Sequence, residues 1–319
     1  MKQYIKWIAK GLLLIIILAI IDKGIGKLGL FVKAIDSKSI PDYVTRVSSC
    51  DDDILIIGSS TANHHYISRQ IQDSLGMSVS NFGLDGAFFI FQNCVINYIL
   101  DSITPKYILW EIGEDCLSDN TPRFREYQMM YKLYPYYSSS KYIRKAIDDY
   151  DTWQRLRMMS DMYCDNSNMI HDMLVLSNVI RHGVPKTKIV EDPERGYKPL
   201  PNMGYVYPEI ISDSTMEYTN PRKCEMLVHT IQKCKQCGVQ IIFTSSPRHY
   251  DADLLSLQQA KELRRIAKEE GIPYLDFYHY EEISTNSTYF KDSDHLNARG
   301  AEAYMDVFIP SLKRVLMDL

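Results

Sequence analysis

Short apolar runs alternate with helical segments over two stretches of the chain, residues 51–115 and 221–319. Five such runs are typical of buried parallel strands, because they are short, most are rich in apolar residues, and each ends close to turn residues. The predicted strands are 53–57, 78–82, 107–112, 239–245 and 273–277. The segments between them repeat apolar residues at helical spacing. This alternation predicts an α/β fold, a doubly wound five-stranded parallel sheet flanked by helices.

The alternation stops at residue 116 and resumes near residue 221. The residues between are rich in tyrosine, methionine and arginine, and prolines concentrate over 184–208. The pattern there is helical in places and includes no convincing strand. We therefore predict that 116–220 is a largely helical insertion within one domain that covers 51–319.

The N-terminal residues 1–22 differ from the rest of the chain. Three lysines precede an unbroken apolar run at 11–21, which Asp22 ends. A basic start followed by an apolar run is typical of a signal sequence, and 4–21 is just long enough to span a bilayer. No small-residue cleavage site follows. We predict an uncleaved signal anchor over 1–22 and a stalk or linker over 23–50, with a cleaved signal peptide or a buried soluble helix as alternatives.

Membrane topology follows from the short N-terminal tail, which favours a soluble part facing the periplasm or the cell exterior. The chain has 36 basic and 40 acidic residues, a formal net charge of -4. This balance argues against a nucleic-acid partner, since such proteins usually present a basic surface. Of the seven cysteines, Cys234 and Cys237 form a Cys-x-x-Cys late in a predicted helix. With no second pair for zinc, burial against the helix face is the favoured interpretation.

Polar motifs follow the predicted strands. They are Gly58-Ser59-Ser60 after the first strand, Asn81 to Gly86 after the second, Gly113-Glu114-Asp115 after the third, and Asp292-x-x-His295-x-Asn297 in the last loop. Ligands bind beyond the carboxyl ends of parallel strands, so we expect these motifs to meet at one sheet edge. A carboxylate three residues before a histidine can orient its imidazole toward a serine. The pattern predicts Ser60 as nucleophile, His295 as general base and Asp292 as orienting acid.

The motifs resemble the four sequence blocks of SGNH (GDSL-type) hydrolases over residues 53–115 and 239–310. The resemblance implies an SGNH or flavodoxin-like fold and no cofactor. It also implies an oxyanion held by the backbone N–H groups of Ser60 and Gly86. The Gly-Ser-Ser variant and the anchor are similar to membrane-tethered members such as D-alanyl transfer and polysaccharide O-acetylation proteins.

That resemblance implies an extracytoplasmic serine acyl esterase or O-acyltransferase. Its substrate would be a cell-envelope glycan or an acylated small molecule, and a membrane-bound protein could supply the acyl group. The alternatives are a weak or inactive SGNH-like protein that binds polysaccharide or partners, and a soluble intracellular esterase whose N-terminal segment is core.

The third block departs from the family pattern, because Asp115 stands where the family has an oxyanion-hole asparagine. An ionised carboxylate cannot donate a hydrogen bond to an oxyanion. Asp115 would then be protonated, be replaced by another donor, or leave the activity weak. The candidate replacements are Asn63, His64, His65 and Arg248.

Four further residues are predicted to contact the substrate: Ser59, Asn81, His64 and Arg248. Arg248 would hold an anionic group, with a salt bridge to a carboxylate of the insertion as its alternative. His64 and His65 could join Asp292, Asp294 and His295 around a metal ion. Adjacent helical residues point about 100° apart, however, so only one histidine can face the site and we predict no metal.

Overall fold

The computed structural model describes residues 2–36, 42–113, 116–118, 123–164, 169–183, 192, 194–202, 207, 219–249 and 258–319. The helices are α1 (Lys2–Asp36), α2 (Tyr43–Ser48), α3 (Ser60–His65), α4 (Ser68–Leu75), α5 (Phe89–Ile99), α6 (Arg123–Glu126), α7 (Lys141–Tyr150), α8 (Thr152–Arg157), α9 (Asp161–Cys164), α10 (Met169–His182), α11 (Pro221–Gln236), α12 (Gln258–Glu269), α13 (Glu281–Ser284) and α14 (Ala298–Asp318). The strands are β1 (Ile54–Ile57), β2 (Val79–Asn81), β3 (Tyr107–Glu111), β4 (Gln240–Ser245) and β5 (Tyr274–Asp276). Within the described residues, 3₁₀ helices cover Met130–Tyr136 and Ser287–Tyr289.

The chain divides into two compact units. The helical unit consists of Met1–Arg46 and Met130–Glu191, and the sheet unit of Val47–Met129 and Asp192–Leu319. Most of the helical unit's second segment lies in the stretch where the sequence predicts a helical insertion. The predicted domain boundaries at residues 22, 50, 116 and 220 stay predictions.

The sheet unit contains one five-stranded parallel sheet in the order β2-β1-β3-β4-β5. This confirms the fold class predicted from the alternating pattern. β1 is buried along its whole length, as expected of a central parallel strand covered by helices on both faces. The register pairs Ile57 with Trp110 and Glu111 with Thr244. The carboxyl ends of the three central strands therefore lie level at one edge.

Aromatic packing holds α3 against the last helix, α14. Tyr66, just after α3, meets the rings of Tyr304 and Phe308 edge-on at centroid distances of 5.5 and 5.1 Å. All three rings are almost completely buried. The Tyr66 hydroxyl also lies 3.0 Å from Thr244 Oγ1 on β4. This packing places the start of α3 beside the loop that leads into α14.

Helix α1 continues past the end of the apolar run at Asp22 and ends at Asp36. No proline lies between these two residues, and neither Asp22 nor Lys23 breaks a helix. Its stretch Gln3–Gly29 is long and apolar enough to cross a membrane by length and composition, and none of its most apolar window is buried. Residues 23–36 of the stretch predicted as a stalk or linker therefore extend the same helix.

The Cys-x-x-Cys motif lies at the end of α11, as predicted. Cys234 is completely buried on the inner face of the helix, and Cys237 is its C-terminal cap. The Cys237 thiol lies 3.8 Å from the carbonyl oxygen of Leu100. Burial against the helix face is confirmed for Cys234.

Candidate active site

Ser60, His295 and Asp292 form a continuous hydrogen-bonded row at the carboxyl edge of the sheet. Ser60 is the first residue of α3, and its Oγ lies 2.7 Å from His295 Nε2. His295 Nδ1 lies 2.7 Å from Asp292 Oδ1. We call these three residues the surface row, because the Asp292 side chain is 49% exposed and that of His295 23%. The row has the connectivity of a serine hydrolase triad.

The loop before α14 orients the carboxylate of the surface row. The backbone N–H groups of Asp294 and His295 donate to Asp292 Oδ1 at 3.0 and 2.9 Å, which forms a tight Asx turn. Burial raises the pKa of Asp292, but the hydrogen bonds from His295 and the loop outweigh it and lower the pKa overall. The ionised carboxylate holds the proton of the neutral imidazole on Nδ1. Nε2 is then free to accept the Ser60 proton.

Asn297 fixes the other end of this loop. Its Oδ1 accepts from the N–H of Gly300 at 3.0 Å, and its Nδ2 donates to the carbonyl oxygens of Thr288 and Phe290. A side chain on Gly300 would place Cβ 2.1 Å from the Tyr289 carbonyl oxygen. The Asp-x-x-His-x-Asn spacing thus combines the two reactive groups with the cap that starts α14.

The turn before Ser60 needs a residue without a side chain. A Cβ on Gly58 would lie 2.7 Å from Ala62 Cβ and 2.8 Å from Glu111 Cβ. The Gly58 carbonyl accepts from the N–H of Leu84 at 3.1 Å. Close approach of β1, β3 and the segment after β2 therefore explains the glycine and brings the first two motifs together.

Asn81 is buried at the end of β2 and its amide is fully engaged with backbone. Its Nδ2 donates to the carbonyl of Ala62 at 2.6 Å and to that of Tyr66 at 3.2 Å, while its Oδ1 accepts from the N–H of Gly83 at 2.8 Å. In this structure Asn81 clamps α3 to the segment that follows β2. Its predicted contact with substrate stays a prediction.

Gly86 has a left-handed backbone, with φ of 73°. Its carbonyl accepts from Gln128 Nε2 at 2.9 Å, and a Cβ would lie 2.2 Å from that amide nitrogen. The role of the Ser60 and Gly86 N–H groups as oxyanion donors stays a prediction. Asp115, the residue that departs from the family pattern, lies outside the described residues.

His64 faces the surface row, with its ring centroid 5.9 Å from that of His295. The His64 Nδ1 lies 2.7 Å from the Lys198 carbonyl oxygen. Because a carbonyl oxygen only accepts, Nδ1 carries a proton and donates it to this oxygen. Its Nε2 lies 3.2 Å from Asp85 Oδ1. Burial raises the pKa of Asp85, but the hydrogen bond from Asn63 and the proximity of His64 lower it overall. This arrangement places an ionised, exposed carboxylate beside the histidine nearest to His295.

His65 points the other way, into a second row of polar groups beneath the site. Its Nε2 accepts the N–H of Leu296 at 2.9 Å, so the proton lies on Nδ1, 2.7 Å from Ser246 Oγ. The Ser246 hydroxyl donates to Glu111 Oε1 at 3.2 Å. We call Glu111, Ser246 and His65 the buried row, since none is more than 2% exposed. Burial holds the pKa of His65 well below its usual value.

Two neighbours extend the buried row toward the surface row. Thr61 donates its hydroxyl proton to Glu111 Oε2 at 2.5 Å, and its oxygen lies 2.9 Å from Ser59 Oγ. With the Thr61 proton committed to Glu111, the Ser59 hydroxyl is the donor of that pair. Ser59, predicted to contact substrate, is therefore linked through Thr61 to a buried carboxylate of β3.

Arg248 is buried between the two rows. Its guanidinium donates to the Asp294 carbonyl at 2.9 Å and lies 3.6 Å from Glu111 Oε1. The same group lies over the ring of Tyr278 at 5.9 Å. Its carboxylate partner Glu111 belongs to β3 and not to the predicted insertion. A role for Arg248 in holding an anionic substrate group stays a prediction.

Sequence reasoning missed Glu111 and Ser246 as site residues. A signal was present, because Glu111 is the single charged residue in the strand at 107–112. A carboxylate in a fully buried strand needs hydrogen-bonding partners. Among the described residues, no group of three or more His, Cys, Asp or Glu side chains is arranged to hold a metal ion.

No protein-family model matches the sequence, and no curated protein matches it. The chain aligns with the structure of a provisionally assigned acylhydrolase from Bacteroides fragilis, with a TM-score of 0.42, 12% identity, and 86% of this chain and 95% of that chain covered. It also aligns with an acetyl xylan esterase, with a TM-score of 0.39, 10% identity, and coverage of 81% and 98%. The resemblance to SGNH hydrolases continues to rest on the motif residues and their arrangement.

Proposed function

We propose that this chain is a serine hydrolase of the SGNH type, an acyl esterase or O-acyltransferase that uses Ser60 as its nucleophile. The observation that carries the proposal is the unbroken row from Ser60 Oγ through His295 to Asp292, with both links at 2.7 Å. Side chains from two distant parts of the sequence, Ser60 on one side and the loop with Asp292 and His295 on the other, meet there in the order that nucleophilic catalysis needs.

The proposed reaction has two halves. Ser60 Oγ attacks the ester carbonyl carbon while His295 Nε2 takes the hydroxyl proton, and Asp292 stabilises the resulting imidazolium. The bond to the alcohol then breaks, and His295 returns the proton to the departing oxygen. Water or an acceptor hydroxyl next attacks the acyl carbon and gives its proton to His295. The bond to Ser60 Oγ then breaks, and His295 passes that proton to Oγ, which restores the free serine. Hydrolysis and transfer differ only in which of these two nucleophiles enters.

The oxyanion that forms in each half needs hydrogen-bond donors. We infer that the backbone N–H groups of Ser60 and Gly86 supply them, as the family resemblance implies. Loss of one such donor typically costs about 2.7–4 kcal/mol of transition-state stabilisation. The identity of residue 115 as an aspartate therefore predicts a slower enzyme than one with asparagine there.

We also propose that α1 anchors the protein in a membrane and that the sheet unit works on its periplasmic or outer side. The length and composition of Gln3–Gly29 support the anchor. The proposed substrate is an acyl ester of a cell-envelope glycan, with a membrane-bound protein as acyl donor if the reaction is transfer. This finer assignment follows from the Gly-Ser-Ser motif together with the N-terminal anchor.

A fluorophosphonate probe tests the nucleophile directly. We expect the full-length protein, purified in detergent, to be labelled, and Ser60→Ala to lose all labelling. Ser102→Ala is a matched control, since Ser102 is an exposed serine in the loop before β3, at the opposite edge of the sheet. Folded protein that stays unlabelled would reject the enzyme and favour the polysaccharide-binding alternative.

A further inference from the structure

Part of the helical unit exposes large apolar side chains beyond the proposed membrane span. Trp153 and Leu156 on α8 and Met159 just after it are 66%, 55% and 71% exposed. On α10, Ile170, Met173 and Ile180 are exposed as well. We call these six residues the apolar surface. Single exposed apolar residues are common, but a group of this kind in one unit marks an interaction site.

On α10 the exposed apolar side chains share one face. At about 100° per residue, Met173 and Ile180 lie within roughly 80° of Ile170 around the helix. Trp153, Leu156 and Met159 are three residues apart, the spacing that keeps side chains on neighbouring faces of a turn. Each helix therefore presents an apolar side, as amphipathic helices at an interface do.

Hydrogen bonds at Asp22 fix where this part of the helical unit lies along α1. Asp22 is the first polar residue after the apolar run. Its carboxylate accepts from the Ser160 hydroxyl at 2.5 Å and from the N–H of Asp161 at 2.9 Å, and Lys23 Nζ lies 2.6 Å from Asp161 Oδ1. α9 therefore begins at the level on α1 where the apolar run ends.

Close packing supports the same placement. A Cβ on Gly26 would lie 2.3 Å from Asp161 Cβ, so the two backbones approach to a distance that only glycine permits. Val32, two turns further along, is 1% exposed. α9 and α10 both pack on α1. The attachment of these helices to α1 is thus built from charge pairing, capping and backbone contact.

Distances along the chain then place the α8 side of the apolar surface, Trp153 to Met159, at the membrane boundary. The apolar stretch 4–21 is about 27 Å long as a helix, close to the roughly 30 Å hydrocarbon thickness of a bilayer. Asp22 consequently lies at the headgroup level. Met159 directly precedes Ser160, so its Cα is about 3.8 Å from that of the residue bonded to Asp22. Trp153 is about two helical turns further back.

We propose that the α8 side of the apolar surface inserts into the interfacial layer of the same bilayer that α1 spans, so that α8 lies on the membrane. The inference rests on the anchor in the proposed function. Tryptophan is enriched at this depth, where its ring meets both lipid and headgroups. The exposed Arg155, Arg157 and Lys27 supply positive charge suited to anionic headgroups.

The three tryptophans of the chain make the test possible without added labels. Trp7 lies in the proposed membrane span 4–21, Trp110 is completely buried in the sheet unit and bonds to Gln92, and Trp153 belongs to the apolar surface. The full-length protein is placed in lipid nanodiscs containing anionic lipid. Part of the lipid carries bromine on the upper acyl chain, which quenches tryptophan emission on contact.

Trp7→Phe reports on Trp153, Trp153→Phe reports on Trp7, and the double variant leaves Trp110 as the control for folding. We expect bromolipid to remove most of the Trp153 emission and to leave Trp110 unchanged. Trp153 emission that responds to acrylamide in water but not to bromolipid would overturn the proposal. Emission that responds to neither would also overturn it, because a second copy or another protein would then cover the surface.

Trp7 separates this inference from the anchor. If bromolipid quenches Trp7 but not Trp153, α1 spans the bilayer and the apolar surface does not touch it. If it quenches neither, and carbonate washing releases the protein from native membranes, the anchor itself is wrong. Loss of the fluorophosphonate reaction alone would leave both membrane results standing.

Discussion

The surface row and the buried row contain the same types of side chain, a serine, a histidine and an acid, connected in different orders. The two imidazole rings lie 6.3 Å apart. In the surface row the acid bonds the histidine, and the histidine faces the serine. In the buried row the acid bonds the serine, and the second imidazole nitrogen is occupied by the N–H of Leu296. Only the surface row leaves a lone pair free to accept a proton.

The two rows also differ in how far their side chains are buried. The surface row is open enough for a substrate to reach Ser60, whereas His65 and Ser246 have no exposed surface. The low pKa of His65 keeps its imidazole neutral, a state suited to fixed hydrogen bonds and not to proton transfer. The comparison indicates that residue types alone do not define a catalytic triad. The order of the bonds and access to solvent decide it.

The largest effect is expected from replacing the serine of each row by alanine and comparing the two variants. Ser60→Ala removes the nucleophile, so kcat/KM for a small acyl ester should fall by about 10⁴-fold or more while the protein stays folded. Ser246→Ala leaves the His65 N–H without an acceptor and removes the hydrogen bond to Glu111 Oε1, which keeps only its ion pair with Arg248. Its free energy of unfolding should fall by about 1–3 kcal/mol with labelling retained. Ester kinetics and urea unfolding of both variants check this, and matching phenotypes would contradict the comparison.

Asp292→Asn removes the negative charge of the surface row while keeping the geometry of its loop. The asparagine Oδ1 can still accept the N–H groups of Asp294 and His295, so we expect the loop to keep its fold. The imidazolium loses its ionic partner, and kcat should fall by roughly 10²–10⁴-fold. Steady-state kinetics measure the loss. A fall below tenfold would mean that the ionised carboxylate contributes little to the reaction.

His65→Phe breaks the buried row while keeping a ring of similar size. The Leu296 N–H and the Ser246 hydroxyl lose their partner, which should lower the free energy of unfolding by about 2–4 kcal/mol. Because Leu296 follows His295, we expect a modest fall in kcat, about tenfold, with an unchanged shape of the pH–rate profile. If the pH–rate profile of the variant instead lost its acidic or basic fall in rate, His65 would be a group that transfers protons.

The smallest effect concerns stability against pH. The unfolded chain protonates His65 below about pH 6.5, while the folded protein holds it neutral, so the unfolded state binds more protons. Stability from this residue is present above about pH 6.5 and falls on acidification by at most about 1.4 kcal/mol per pH unit. Urea unfolding between pH 7.5 and 5.5 should show a shallower dependence in His65→Phe. Equal slopes would mean that His65 titrates normally in the folded protein.

Sequence patterns predicted the sheet, and strand ends together with motif spacing indicated which residues meet at its edge. The catalytic roles assigned to those residues stay predictions. Ser60 and His295 are 235 positions apart, yet both follow from the parallel topology. The lone charge of Glu111 in its strand was a signal for a buried polar group, but its partners in the buried row were beyond prediction, because apolar periodicity does not say which buried polar groups bond to each other. Glu111, Ser246 and His65 become partners only through the register of β3 and β4 and the orientation of α3.

The continuation of α1 beyond Asp22 was missed for a different reason. A charged pair ends an apolar run but does not end a helix, and helix propensity alone gives no stop there. The bonds of Asp22 to Ser160 and Asp161 join residues almost 140 positions apart. No local pattern records such a partner.

The division of the chain into two discontinuous units sets an order for biosynthesis. The helical unit needs Met1–Arg46 and Met130–Glu191, so it cannot close until β1, β2 and β3 have already been made. The helical unit can nevertheless fold before β4 and β5 have been synthesised. At that stage the sheet has only β1, β2 and β3, and β3 lacks its partner β4. An unpaired β3 edge is open to pairing with another chain. The nascent protein is therefore most vulnerable to aggregation between the synthesis of β3 and that of β4.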